Sequence, residues 1–389
     1  MEAGDADFGV LCADHHPGYS QPIGGCIAYE GYVSPSGVGY DIGCGNKAVR
    51  TELTRADLDE LGGVEAVMRE IVRRVSFGMG GSAHERADDP VLDRIRNADF
   101  EPQRRLAKLA EQQLGTVGSG NHYVNVMEDE AGKIWAGVHF GSRGFGHKTA
   151  SGFLALAQGL KFDARARDGG MDSPPVLFPV DSELGRSYVA AMELVGEYAY
   201  AGRNAVVAKV LEILGARAVH DVHNHHNFAW REGHFGRTYW VIRKGCTPAR
   251  AGQEGFVGGS MGDDSVILEG VDGSEAAASL YSTVHGAGRV MSRSQAAGRI
   301  RRRKHVVAGR KVWVQEQLKP GLVDWPAVQA RLRAQGIVVL GGGADEAPEV
   351  YKRLPDVLAA HAGSIRVKHT LRPLGVAMAG RDVVDPYKD

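Results

Sequence analysis

The sequence has few cysteines and no close cysteine pair. The four that it contains are widely spaced along 389 residues, and none belongs to a CxxC motif: Cys12, Cys26, Cys44 and Cys246. Disulfide frameworks are typical of short secreted domains, in which cysteine is much more frequent. The cysteine pattern therefore argues against a disulfide scaffold and indicates a reducing compartment.

The sequence also lacks a strong net charge and a long apolar run. The formal net charge is −1, so nucleic acid would have to meet a local basic patch rather than a uniformly basic protein. The candidate patch is residues 299–304, for which a solvated helix face or loop is an equally good explanation. No apolar run approaches the roughly 20 residues that span a bilayer, and the acidic residues 1–7 are unlike a secretory signal. We therefore expect a cytoplasmic protein.

Glycine and histidine, by contrast, are abundant. Glycine provides 53 of the 389 residues, about twice its average usage of roughly 7%. Many of the 15 histidines stand close to glycine. Because glycine lets the backbone take positive φ and approach a ligand closely, this pattern indicates loops that are built around something bound.

Hydrophobic periodicity predicts a mixture of helices and strands. Helices are predicted over residues 63–77, about 106–114, 182–214 with a break near Gly202, 327–335 and 347–360. Strands are predicted over residues 122–127, 134–140, 237–242, 265–269, 279–284, 336–340, 364–368 and 374–378. Because strands and helices do not alternate strictly, an α+β fold is favoured over a doubly wound sheet. We predict a single compact domain over residues 1–389, with mixed β-sheets flanked by helices and helical insertions at about 55–112 and 150–215.

Glycine-rich segments at predicted strand ends carry side chains suited to metal and phosphate chemistry. These side chains are Asp41, Cys44, His122, His139, His285 and the HNHHN cluster at residues 223–227. Imidazole and thiolate suit borderline transition metals, and a carboxylate extends the set toward Mn²⁺. A thiolate can bridge two ions, and paired ions about 3.5–4 Å apart suit phosphoryl transfer.

Each of these segments alone is more often structural than functional. A single histidine at a strand end is usually hydrogen-bonded within the protein, and the other three cysteines are expected to be buried as small apolar groups. Structural zinc sites usually show close ligand pairs, which this sequence lacks. Together the segments favour a catalytic metal site assembled from distant loops, although their chemistry does not name the reaction.

Motifs spread over most of the chain resemble, in order, those of the RtcB family. Members of this family join RNA 3′-phosphate or 2′,3′-cyclic phosphate ends to 5′-hydroxyl ends. The similar segments are DHHPGY (14–19), PIGG (22–25), SPSGVGYD (34–41), RKGCT (243–247), GSMG (259–262), STVHGAGRVMSR (282–293) and DEAPEVYK (345–352). Motifs of this length and order are specific, and they imply a single RtcB-like catalytic domain.

The resemblance implies roles for individual residues. Two Mn²⁺ ions would be bound by Asp41, Cys44, His122, His139 and His226, with Cys44 bridging them. His285 would attack the α-phosphate of GTP and form a histidine–GMP intermediate. The nucleotide contacts would be Asn121, Asn227, Ser260, Ser265, Arg289 and Tyr351. Arg143 would orient the RNA or its phosphate, and the RNA would be a broken tRNA or another RNA with such ends.

Two positions depart from the family's motifs. Asn125 stands where the resemblance implies a glutamate that pairs with guanine, and Ala379 stands where it implies a lysine. An amide offers one carbonyl oxygen where a carboxylate offers two. Two alternatives to a GTP-dependent ligase therefore remain. One is a paralogue with metal-dependent phosphodiesterase or nucleotidyl-transfer activity and altered base choice. The other is a non-catalytic RNA-end-binding protein, against which the retained His285 argues.

Overall fold

A computed structural model describes residues 6–167, 173–307 and 310–380, and between residues 300 and 317 it describes the backbone alone. The strands are β1 (Phe8–His16), β2 (Ile23–Tyr29), β3 (Tyr32–Val33), β4 (Gly45–Arg50), β5 (Ser76–Phe77), β6 (Thr116–Gly118), β7 (Tyr123–Asp129), β8 (Ile134–Phe140), β9 (Phe178–Pro179), β10 (His220–His225), β11 (Asn227–His234), β12 (Arg237–Lys244), β13 (Cys246–Pro248), β14 (Glu254–Val257), β15 (Ser265–Gly270), β16 (Ser282–Val284), β17 (Arg299–Val307), β18 (Arg310–Lys319), β19 (Val338–Leu340) and β20 (Ile365–Met378).

The helices are α1 (Pro35–Val38), α2 (Arg55–Glu60), α3 (Gly63–Arg74), α4 (Val91–Arg96), α5 (Glu101–Arg104), α6 (Ala107–Gln113), α7 (Arg143–Ala157), α8 (Glu183–Leu214), α9 (Ser274–Ala278), α10 (Arg293–Ala297), α11 (Trp325–Ala334) and α12 (Leu354–Ala359). Two short 3-10 turns, Ala344–Glu346 and Pro348–Val350, precede α12. Helices α2 to α6 lie between β4 and β6, and α7 and α8 lie between β8 and β10. Among the helices of the described ranges, none combines the length and apolar character that crossing a bilayer requires.

Two sheets form the framework. The larger sheet has the order β10-β4-β8-β7-β20-β15-β14, with β19 joined in parallel to β20. The smaller sheet has the order β1-β2-β12-β11 and antiparallel pairing. The predicted fold class, α+β with mixed sheets flanked by helices, is confirmed.

The two faces of the larger sheet differ in what they contact. On one face, Val124, Val126 and Val138 of β7 and β8 pack with buried residues of α3 and α8. Strand side chains alternate between faces, so Asn125 and His139 face the opposite side. This second face lines a cleft. The sheet thus buries one face under α3 and α8, and its other face carries both the polar side chains of the cleft and an apolar cluster that includes Met127 and Trp135.

The region before the last strand differs from its prediction. The helix predicted over residues 347–360 is wrong, because the structure has two 3-10 turns and then only α12 there. Pro348 and Pro355 each lack a backbone N–H and restrict the residue before them, which interrupts a helix of this length. The strands predicted over 364–368 and 374–378 are one continuous strand, β20, whose register shifts between Pro373 and Gly375.

Two other expectations differ as well. Helix α8 has no break at Gly202, since a single glycine costs only about 1 kcal/mol in a helix. A Cβ atom on Gly202 would stand 3.5 Å from the Phe140 ring of β8, an ordinary van der Waals contact. The basic segment 299–304 lies in the hairpin of β17 and β18 rather than in a helix or loop. The side chains of Arg301 and Arg302 lie outside the described residues.

Candidate metal centre and nucleotide cleft

A cleft of about 650 Å³ opens on the face of the larger sheet that carries Asn125 and His139. Loops that are far apart in the sequence converge on it. Its lining includes the residues for which the sequence predicts metal binding, nucleophilic attack and most nucleotide contacts: Asp41, Cys44, Asn121, His122, His139, His226, Asn227, Ser260, His285, Arg289 and Tyr351. The structure therefore brings most of the predicted site into one cavity.

The predicted metal ligands form two overlapping groups that share one thiol. Cys44, His139 and His226 form the first group, and Asp41, Cys44 and His122 form the second, with the ligand atoms of each group within 4.8 Å of one another. Cys44 Sγ lies 3.4 Å from His139 Nε2 and 3.8 Å from His122 Nε2. The His139 and His226 Nε2 atoms are 3.4 Å apart, and His122 Nε2 is 3.2 Å from Asp41 Oδ2. This arrangement lets the thiolate serve two ions at once.

Backbone carbonyls orient the histidine rings. His122 Nδ1 lies 3.0 Å from the Val117 carbonyl oxygen, and His139 Nδ1 lies 3.1 Å from that of Asn121. A carbonyl accepts only from a protonated nitrogen, so Nδ1 carries the hydrogen and the Nε2 lone pair faces the centre. His226 Nδ1 is buried and has no hydrogen-bond partner within the described residues. Lone pairs that meet at such short range fit a bound cation.

Two glycines make room for charged side chains. A Cβ atom on Gly141 would stand 2.1 Å from Asp41 Oδ1, and one on Gly118 would stand 2.0 Å from the Arg143 guanidinium carbon. Gly118 also has φ of +92°, which disfavours other residues. The abundance of glycine at this site therefore has a steric reason.

Burial sets the protonation of the metal ligands. It lowers the pKa of His139 to about 3 and the pKa of His226 well below its ordinary value, so both rings are neutral. It raises the pKa of the Cys44 thiol, and the nearby Asp41 carboxylate raises it further. Burial also raises the pKa of Asp41, but the hydrogen bond and charge of His122 in its doubly protonated form, whose Nε2 proton a bound cation would replace, outweigh it and hold the pKa low. A divalent cation would displace the thiol proton and offset the carboxylate. The donor set fits two borderline divalent ions.

Arg203 of α8 supports this centre through hydrogen bonds to the surrounding backbone and histidines. Its guanidinium donates to the backbone carbonyls of Gly43 (2.8 Å) and Phe140 (2.7 Å), which ties the Asp41–Cys44 loop to the end of β8. It also bonds His223 (2.8 Å) and lies 3.0 Å from His225 Nδ1. Burial lowers the pKa of Arg203 to about 10, which leaves it cationic at neutral pH. Sequence reasoning missed this residue, because nothing distinguishes it from other arginines of a long helix.

Asp14 holds His285 in place. The Asp14 carboxylate is fully buried, and its Oδ2 lies 2.7 Å from His285 Nδ1 and accepts a bond of 3.0 Å from the His285 backbone N–H. Burial raises the pKa of Asp14, but the attraction of His285 and its hydrogen bonds hold this pKa below the usual value. The ionised carboxylate keeps the proton on Nδ1, so Nε2 is free to react. Sequence reasoning quoted Asp14 within a motif but gave it no role.

The far side of the cleft carries a cationic and aromatic cluster. Arg289 donates to the Asp345 carbonyl (2.8 Å) and to the Tyr351 hydroxyl (3.2 Å). Its guanidinium carbon also lies 5.2 Å from the centre of the Tyr351 ring. Tyr351 and Arg293 both bond the buried carboxylate of Glu346. The Glu346 carboxylate therefore already has two hydrogen-bond partners within the protein.

Asn125 faces the cleft from the middle of β7. Its side chain is only 4% exposed, and its Oδ1 atom has no hydrogen-bond partner in the part of the chain that the structure describes. The cleft beside it is lined by Tyr123, Val376 and Met378. Ala379 presents no side-chain polar group, and its carbonyl accepts a hydrogen bond from the loop after β19. An apolar slot with one unsatisfied amide oxygen fits the edge of a planar ring.

Two residues that were predicted to contact nucleotide or RNA, Ser265 and Arg143, lie outside the lining of the cleft. Ser265 Oγ instead accepts a hydrogen bond of 3.1 Å from the backbone N–H of Gly259, and so supports the loop that carries Ser260. Ser260 lines the cleft, and its hydroxyl donates to Asp263 (2.5 Å). Arg143 lies behind His122, with its guanidinium 3.4 Å from Nδ1.

Known proteins resemble this chain along nearly its whole length. A family model described as tRNA-splicing ligase RtcB matches residues 7–101 and 92–379. The RNA-splicing ligase RtcB of Escherichia coli K12 is 31% identical, covering 93% of this chain and 88% of that protein. The tRNA-splicing ligase RtcB of Thermococcus kodakarensis is 30% identical, covering 97% and 89%. The RNA-splicing ligase RtcB of Mycobacterium bovis is 29% identical, covering 93% and 94%. With a match along nearly its whole length, this chain belongs to the RtcB family.

Proposed function

We propose that this chain is an RNA ligase that joins 3′-phosphate or 2′,3′-cyclic phosphate ends to 5′-hydroxyl ends, with two Mn²⁺ ions and GTP. Its relatives are named RNA-splicing and tRNA-splicing ligases. The observation that carries the proposal is the His285 ring, held by Asp14 with Nε2 unblocked, beside two ligand groups that share Cys44. The ring centres of His285 and His226 are 4.9 Å apart. A nucleophile and a double metal site this close suit phosphoryl transfer.

The first step would make a covalent nucleotide. His285 Nε2 attacks the α-phosphorus of GTP, a P–N bond forms, and the bond to pyrophosphate breaks. Asp14 stabilises the imidazolium that results, because its carboxylate accepts the Nδ1 proton's hydrogen bond. The Mn²⁺ ions, when bound, would offset negative charge on the phosphate oxygens. Arg289 lines the cleft, and its planar guanidinium would pair with a phosphate of the nucleotide.

The remaining steps would use the activated guanylate. An oxygen of the RNA 3′-phosphate attacks the phosphorus on His285, and the P–N bond breaks. The 5′-hydroxyl oxygen then attacks the 3′-phosphate phosphorus, GMP leaves, and the hydroxyl proton is released. A cyclic phosphate end would first be hydrolysed to the 3′-phosphate.

The proposal is tested by intact-mass measurement after incubation with Mn²⁺ and each nucleoside triphosphate in turn. We expect a mass increase of one nucleoside monophosphate, and loss of that increase when RNA with 3′-phosphate and 5′-hydroxyl ends is added. A phosphodiesterase would open cyclic phosphates without an adduct. An RNA-end-binding protein would retain RNA and do neither, and either result would contradict the ligase proposal.

Asp14→Asn should slow the formation of the adduct without releasing metal. The amide can present its N–H₂ group to Nδ1, which moves the imidazole proton to Nε2 and blocks attack. Loss of the carboxylate behind a catalytic imidazole costs up to about 10⁴-fold in serine proteases, and we expect at least about 100-fold here. Rapid-quench measurement of adduct formation checks this. An unchanged rate would mean that Asp14 only supports the fold.

Asn125→Glu should sharpen the preference for GTP over ATP. Guanine presents two donors on its Watson–Crick edge, and a carboxylate accepts both, whereas the amide leaves one less well satisfied. An unpaired buried donor costs roughly 1–3 kcal/mol, so the preference should rise about tenfold to hundredfold. Adduct yields with GTP and ATP measure it, with Asn125→Gln as the control that keeps an amide.

Carboxylates nearby could in principle replace the missing one. The structure argues against this for Glu346, which bonds Arg293 and Tyr351, and for Asp263, which bonds Ser260. Strong selectivity for GTP in the wild type, unchanged in Asn125→Glu, would show that Asn125 does not read the base. The same comparison decides between the GTP-dependent ligase and the paralogue with altered base choice.

A further inference from the structure

Two aromatic rings stack beside the loop that carries the metal-ligand candidate Asp41. Tyr40 immediately precedes Asp41 and is 37% exposed. Its ring stacks on that of His147, with ring centroids 5.3 Å apart and planes inclined by 29°. We call Tyr40 and His147 the rim pair. A single exposed aromatic side chain is ordinary, but this pair joins two elements that both carry residues of the metal centre.

The rim pair lies close to the metal ligands from both directions. Tyr40 and Asp41 are bonded neighbours, so their Cα atoms are about 3.8 Å apart. His147 lies one helical turn after Arg143 on α7, and residues four apart share one helix face. The Arg143 guanidinium lies 3.4 Å from His122 Nδ1. The stacked rings therefore join the loop that carries Asp41 to the helix whose Arg143 contacts His122.

Two lysine side chains, Lys244 and Lys148, lie next to residues that neighbour the rim pair in the sequence or belong to it. The Lys244 side chain lines the cleft and packs against Gly39, the residue before Tyr40. Its Nζ donates to the carbonyl of Tyr19, whose own ring is 43% exposed. Lys148, beside His147, is exposed. Ring faces next to flexible cations are the combination with which proteins bind single-stranded nucleic acid without reading its sequence.

We propose that the rim pair is a stacking site for the terminal base of a single-stranded RNA 3′ end whose phosphate lies at the metal centre. This inference rests on the proposed function and adds to it the position of the strand that supplies the phosphate. One nucleotide joins base and terminal phosphate, and the ring of Tyr40 and the carboxylate of Asp41 belong to adjacent residues. Every base has a flat face, so the site would accept any terminal base. Lys244 would pair with the backbone phosphate.

The experiment uses RNA with a 3′-phosphate and 5-iodouridine at its last nucleotide, which cross-links to a stacked aromatic ring on irradiation. With the Mn²⁺-loaded chain, we expect cross-links to Tyr40 or His147, and few when the iodouridine is moved several nucleotides inward. Tyr40→Ala and His147→Ala should each weaken RNA binding, by about tenfold to hundredfold for Tyr40→Ala. Tyr40→Phe, which keeps the ring, should bind like the wild type.

Adduct formation on His285 separates this inference from the proposed function. All three variants should form the adduct with nucleotide and Mn²⁺ as the wild type does, since neither ring is a metal ligand or part of the nucleotide site. Equal RNA affinity in the wild type and both alanine variants, or cross-links only elsewhere, would overturn the stacking site and leave the ligase proposal intact. A wild-type chain that forms no adduct would contradict the ligase proposal instead. His147 lies on a different element from Tyr40. Weaker RNA binding in both alanine variants would therefore not come from a change confined to the Asp41 loop.

Discussion

His285→Ala should abolish the covalent nucleotide adduct and, with it, RNA ligation. The imidazole is the group that Asp14 orients through Nδ1, and alanine leaves neither a nucleophile nor a ring N–H to donate a hydrogen bond to that carboxylate. We expect no mass increase after incubation with GTP and Mn²⁺, against one added nucleotide in the wild type. Metal content should stay unchanged, because the two ligand groups do not include His285.

A histidine outside the cleft provides the matched control. His220, at the start of β10, bonds Glu254 at 2.6 Å and does not line the cleft. His220→Ala should form the adduct at the wild-type level. An adduct that persists in His285→Ala would assign the nucleophile to another residue, and peptide mapping of the modified chain would identify it.

Cys44→Ala should remove both metal ions or leave one weakly held. Its thiol is the one donor common to both ligand groups, so each ion would lose a ligand. Losing even an outer-shell partner of a ligand typically costs 10–100-fold in metal affinity, and we expect at least about 100-fold here. Elemental analysis after dialysis, together with Mn²⁺ titration by calorimetry, measures the change. Ligation should fall below detection at Mn²⁺ concentrations that saturate the wild type.

The chain offers a cysteine control for this experiment. Cys246 is also fully buried, but its Sγ lies 3.7 Å from Cys12 Sγ, and the two metal-ligand groups do not include it. Cys246→Ala should keep both ions and the ligase activity. Two tightly held ions in Cys44→Ala would show that this thiol does not bridge them, and would favour two independent sites.

Much of this protein could be predicted because its chemistry is local. Strand β8 was predicted with its full bounds because an apolar run with bulky residues favours a strand wherever it lies. The metal-ligand candidates could be named because four of them stand in glycine-rich segments and His226 stands in a dense cluster of histidine and asparagine. The strands β1, β2, β4, β10 and β11 were not predicted. Histidine and other polar residues obscure the strand pattern in β10, β11 and the end of β1, whereas two glycines interrupt the apolar residues of β2.

The sequence by itself determined which side chains could bind metal, attack phosphate and depart from the family's nucleotide contacts. Only the tertiary structure decided how they act together. Asp14 contacts His285, which is 271 residues later in the chain. Arg203 connects the Asp41–Cys44 loop to the end of β8. Ser265 supports a loop instead of lining the cleft, while Asn125 lines the cleft and its buried amide oxygen has no hydrogen-bond partner within the described residues. Residue type and local backbone preference are properties of short segments, whereas these contacts depend on which sheet face a residue occupies and on what packs against it.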